Sequence, residues 1–161
     1  MARTPARSAG QGDPPVDPRG PRFAATLTTV VLAVVLLTGS SWLLAAQGVV
    51  FALGAFAGLR FSPYSVVYRL LVAPRLAPPT EREDAAPLRF AQGVGFAFAV
   101  VGTVGYAVGL TPLGMIATAF ALAAAFLNAA FGFCLGCEMY GILVRLRPSK
   151  TAATQSQGAT A

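Results

Sequence analysis

Two stretches of this chain, residues 23–59 and 90–137, contain no Asp, Glu, Lys or Arg at all. No other feature narrows the fold as far. A membrane-crossing helix needs about 20 apolar residues, so each stretch is too long for one crossing and suits two. Over the whole chain only 11% of residues are charged and 55% are hydrophobic, whereas a soluble domain carries about 25% charged residues. The expectation is an all-α, four-helix transmembrane bundle. Its helices fall at about 23–42, 43–60, 90–109 and 113–140, within a domain spanning 20–147. Residues 1–19 and 148–161 read as disordered tails, the first of them basic. A cleaved leader before a soluble domain is a poorer reading. Residues 1–22 lack an apolar core, and the second uncharged run would still need a bilayer.

The turns are written in small residues. "TGSS" (38–41), followed by Trp42, interrupts the first run as an interfacial turn. "GLTPLG" (109–114) divides the second by its glycines and proline. All twelve Lys and Arg fall before residue 23, between 60 and 89, or after 144. With an even number of crossings these segments share one face, and the positive-inside rule assigns it, with both termini, to the cytoplasmic side of the plasma membrane. The net charge of +6 thereby follows from topology. No basic–aromatic interleaving points to nucleic acid.

The chain also repeats itself. Asp17, Arg22, Phe23 and Ala24 fall on Asp84, Arg89, Phe90 and Ala91 at an offset of 67. Phe61, Tyr68, Leu71, Val72 and Arg75 fall on Phe133, Tyr140, Leu143, Val144 and Arg147 at an offset of 72. The bundle therefore reads as two parallel helical-hairpin repeats about an axis along the membrane normal. The second alignment sets Ser62 and Ser65 of "SPYS" on Cys134 and Cys137 of "CLGC", facing one another near the axis. Arg22 and Arg89 would then stand at neighbouring helix starts.

Cys134 and Cys137 are the chain's two cysteines, and C-x-x-C at a membrane edge suggests chemistry rather than packing alone. At 100° per residue, Ala123, Ala130, Cys134, Cys137 and Gly141 form one small-residue stripe on the fourth helix, the kind of surface by which membrane helices approach closely. Thiols at i and i+3 can close into a disulfide, or one can carry a persulfide that the other resolves. An obstacle is position. Near a helix C-terminus the dipole opposes thiolate, and Glu138 opposes it too. Activation would fall to Arg22, Arg89, Arg145 or a break at Gly136. Tyr68 and Tyr140 complete the supporting set.

"DPRGPRFAA", "APPTEREDAAPLRFAQGVGF" and "GFCLGCEMY" resemble an uncharacterised family of small bacterial four-helix membrane proteins known by a domain-of-unknown-function label. The resemblance covers about residues 17–147, with C-L-G-C and R-F-A-Q its most specific features. It implies sulfur or thiol chemistry through a soluble thioredoxin-like or sulfurtransferase partner, and it supplies no established activity. The leading expectation is a thiol–disulfide or persulfide relay, with Cys134 and Cys137 as reacting groups and Glu138 beside them. Alternatives are passage of a small sulfur species through a homo-oligomer, with Asn128 bonding a neighbouring helix, or a purely structural membrane role. Four helices with C-x-x-C also suit a quinone-linked oxidoreductase by fold-level analogy, although a second cysteine pair is missing. Two cysteines and no histidine supply half of a tetrahedral metal site, so neither metal nor other cofactor is expected. Nor does the chain hold a serine–histidine–aspartate set or a phosphate loop.

Overall fold

A computed structural model describes residues 15–77, 79 and 82–146. The remainder of both expected tails lies outside these residues. The described chain is helical apart from turns and a single β-bridge. Helix α1 (Arg19–Thr38) ends where Gly39 turns left-handed and its N–H bonds the Val35 carbonyl. Helix α2 (Ser41–Ala52) starts at once, its first turn capped by the Ser40 side chain, which accepts from the Leu43 N–H at 3.3 Å. TGSS is thus a helix stop followed by a helix start, and Trp42 lies exposed beside it.

A π-helical turn over Leu53–Ala57 continues α2. Short helix α3 (Pro63–Val67) and a second π-turn over Tyr68–Val72 follow. Helices α4 (Ala85–Ala107) and α5 (Thr111–Phe131) form the second hairpin, with Pro112 in the first turn of α5. Helix α6 (Leu135–Leu146) closes the described chain. Three helices, α1, α4 and α5, are long and apolar enough to cross a membrane; the apolar segment Ser41–Ala57 is shorter.

The core joins Leu32 and Val35 of α1, Leu44 and Phe51 of α2, Ala99 of α4 and Ala121 of α5. Outward faces are equally apolar: Val30, Val49, Val104, Ile116 and Phe120 are all exposed. In water such a surface would drive aggregation; in lipid it is the expected exterior.

Packing runs α1 on α5, α5 on α4 and α4 on α2, so α1 bears on α5 as α4 bears on α2. Three further relations obey the same twofold. Phe23 and Tyr68 have ring centroids 5.8 Å apart at 46°, and their counterparts Phe90 and Tyr140 are 5.7 Å apart at 50°. Arg89 donates to the Ala55 and Phe56 carbonyls at the end of α2. Arg22 stands at the end of α5, where a Cβ on Gly132 would lie 3.8 Å from its Nε. Each guanidinium thereby meets the negative end of the other copy's second helix. Val16 and Glu83, equivalent at the offset of 67, exchange both backbone hydrogen bonds as an antiparallel bridge, at 2.9 and 3.0 Å. An antiparallel pair of equivalent residues has a local twofold between them.

The bridge brings the starts of α1 and α4 together, and from there Arg22 and Arg89 each turn to the end of the other copy's second helix.

Candidate functional site

The fourth sequence-expected helix, 113–140, is two helices. α5 stops at Phe131 because Gly132 adopts φ 68°, and the Gly132 N–H returns to the Asn128 carbonyl. Such a left-handed residue ends helices at low cost only when it lacks a Cβ. The chain then restarts, so the cysteines open α6 instead of closing α5. This reverses the electrostatic objection, since a helix N-terminus favours thiolate. It also dissolves the small-residue stripe. Ala123 and Ala130 are exposed on α5, while the left-handed residue shifts the phase of everything beyond it.

Cys134 precedes the first residue of α6. Its carbonyl accepts the Cys137 and Glu138 N–H groups at 3.0 and 3.1 Å, and its Sγ accepts the Cys137 N–H at 3.3 Å. The sulfur thus takes the capping role that Ser or Asp usually plays. Cys134 and Cys137 form a disulfide with Cα atoms 5.2 Å apart. Both are half-buried and pack against the cluster of Leu59, Ala85 and Leu88.

Gly136, between them, is where α6 crosses α4. A Cβ there would come within 2.6 Å of the Ala91 Cβ and 2.7 Å of its Cα. No real side chain tolerates such a contact, so the glycine sets how closely the pair approaches α4. Gly136 is therefore a crossing point; the break in the helix is at Gly132.

A cavity of about 530 Å³ opens beside the pair. Ser62, Ser65 and Tyr68 from the first copy and Cys134 from the second all line it, so SPYS and CLGC do share one space. Tyr68 is buried, and its hydroxyl donates to Asp17 Oδ2 at 2.9 Å. Burial first, then the Asp17 hydrogen bond and charge, raise its pKa above the ordinary value, which keeps the hydroxyl a donor. Other sequence-expected residues lie elsewhere. Glu138 is exposed in the first turn of α6, and Arg145 is exposed in the last. Tyr140 packs on Phe90, and Arg89 serves the α2 carbonyls.

Three amide side chains matter more than the sequence suggested. Gln47, 2% exposed, accepts from the Tyr64 hydroxyl at 2.6 Å and donates to Thr28 Oγ1 at 3.5 Å. That chain ties SPYS through α2 to α1. Gln92 and Asn128 line the cavity with no hydrogen bond to any described residue. Among the described residues, the Asn128 side chain therefore bonds no neighbouring helix. The available signal was simple: each amide is a lone strong dipole in an uncharged run, and such residues mark sites by default.

No curated protein and no solved structure matches the chain. Residues 16–145, which include the helical bundle and the cysteine pair, match the family described as a domain of unknown function, DUF4395. The chain belongs to that family.

Proposed function

We propose that Cys134 and Cys137 form a thiol–disulfide carrier that exchanges with a soluble thioredoxin-like or sulfurtransferase partner at the cytoplasmic face. One observation carries this reading. The pair occupies the first turn of α6, and Cys134 Sγ accepts the N–H of Cys137. A thiolate on Cys134 would gain that same hydrogen bond and the positive end of the helix dipole.

In the exchange, a partner thiolate attacks one sulfur of the disulfide, forms a mixed disulfide and releases the other sulfur as thiolate. The partner's second thiol then closes its own disulfide and frees the dithiol here. For sulfur relay, Cys134 thiolate takes a sulfane sulfur from a partner persulfide. Cys137 then attacks Cys134 Sγ, forms the disulfide and expels hydrosulfide. The cytoplasmic assignment draws on the basic residues Arg19, Arg22, Arg60, Arg69, Arg82 and Arg89, which gather at one end of antiparallel helices.

The test uses purified full-length protein in detergent with a reduced thioredoxin-type dithiol, and with the same partner lacking its second cysteine. The single-thiol partner is expected to attack the Cys134–Cys137 disulfide and stay joined as a mixed disulfide, because it has no second thiol to close a disulfide of its own. The dithiol partner should carry the pair through to the dithiol. Absence of both mixed disulfide and reduction would reject the relay. Reporter fusions at residue 80 and after the C-terminus should both read cytoplasmic, and an external signal at residue 80 would reverse the orientation.

A further inference from the structure

The cavity runs deeper than an exchange with a soluble thiol protein requires. Its charged-end opening is bordered by Asp17, Arg60 and Arg69, Phe51 and Phe98 line its depth, and the largely exposed Phe120 edges it on the lipid side. Phe120 lies about 17 Å below the Phe131 end of α5 at 1.5 Å per residue. The space therefore descends well into the hydrocarbon-thickness part of the bundle, becoming apolar as it goes.

Three polar side chains that line the cavity make no side-chain hydrogen bond to another described residue. Ser62 is 4% exposed and lines the cavity, yet its hydroxyl makes no hydrogen bond to a described residue. Gln92 and Asn128 each lie one turn inside the charged end and line the same space, with no side-chain hydrogen bond to a described residue. Polar groups that line a mostly apolar space can bond a ligand held in it. Cys134 lines the cavity too.

We propose that the cavity binds a membrane quinone, which accepts electrons from the Cys134–Cys137 dithiol. The inference rests on the relay reading above and names the oxidant of that same pair. A quinone fits each part of the space. Its two carbonyl oxygens need donors, which the Ser62 hydroxyl and the Gln92 and Asn128 amides supply. Its apolar tail suits the phenylalanine-lined depth.

The chemistry balances. Cys134 thiolate adds to a ring carbon, and Cys137 thiolate then attacks Cys134 Sγ. The S–S bond forms as the S–C bond breaks with its electron pair passing to the ring. The two thiol protons end on the two quinone oxygens. One dithiol becomes a disulfide, and one quinone becomes a quinol.

The test reduces purified full-length protein, removes the reductant and adds a fully substituted benzoquinone bearing a decyl tail. Thiol trapping reads the disulfide, and ultraviolet absorbance reads the quinol. The expected result is one quinol per disulfide. Quinone-driven oxidation should slow about tenfold in Gln92→Leu and in Asn128→Leu, the scale of one lost hydrogen bond, with Ser62→Ala as a milder third variant. Oxidation by glutathione disulfide should be unchanged in all three, and an unchanged thermal midpoint in detergent shows that they are folded.

Three results would overturn the proposal. Closure of the pair by glutathione disulfide but not by quinone removes the quinone site and leaves the relay standing. Equal quinone rates in wild type and all variants do the same. Closure by neither oxidant removes the relay, and the quinone site with it.

Discussion

Segments 61–72 and 133–146 occupy equivalent places in the two halves of the bundle, yet they are held by different means. In the first, Tyr64 sends its hydroxyl to Gln47, which reaches Thr28. In the second, the position of Tyr64 is taken by Gly136, and α6 closes directly onto Ala91. The aromatic contacts Phe23–Tyr68 and Phe90–Tyr140 are nearly the same in both. The shared rings fix where each segment lies, while the residues between them decide what it does. A hydrogen-bonded brace results in one half and a disulfide at a helix start in the other. Duplication supplies the frame, and substitution within it makes the site.

The comparison can be broken most directly at Gly136. Gly136→Leu forces a side chain into Ala91 and is expected to cost about 1–3 kcal/mol, as overpacking usually does. Thermal unfolding in detergent micelles reads it, and an unchanged midpoint would mean that α6 does not bear on α4. In the first half, Tyr64→Phe leaves the buried Gln47 oxygen without its donor. A loss of about 1–2 kcal/mol is expected in the same assay, and none would show that the brace carries no weight.

The smallest effect sharpens the comparison furthest. Tyr68→Phe deletes the hydrogen bond to Asp17 and should cost about 1 kcal/mol. Tyr140 makes no side-chain hydrogen bond to a described residue, so Tyr140→Phe should stay within about 0.5 kcal/mol. Equal losses would remove the distinction between the halves.

Much of this was legible in the residues. The uncharged runs announced the apolar helices, TGSS announced a helix boundary, and the repeat placed Ser62 and Ser65 in the same space as Cys134. The break at Gly132 was hidden for a physical reason. A helix whose every face is apolar has little periodicity to lose, so a phase shift leaves no trace in the pattern. The remaining signal was one glycine in "AAFGFC", a usual helix terminator that the surrounding apolar residues obscured. The partners of Gln47 were beyond reach for another reason, since they depend on which helices pack together. The ring order of α1, α5, α4 and α2 is a property of three-dimensional packing that spacing along the chain does not encode.

The account depends most on Cys134 and Cys137 being a pair that cycles. Thiol trapping in native membranes, before reductant, after a mild dithiol and again after its removal, measures this directly. The expected sequence is disulfide, dithiol, then disulfide again, with no cycle in Cys134→Ser or Cys137→Ser. Two free thiols at every stage, or a disulfide untouched by the dithiol, would contradict the account and leave CLGC as a packing element at the start of α6.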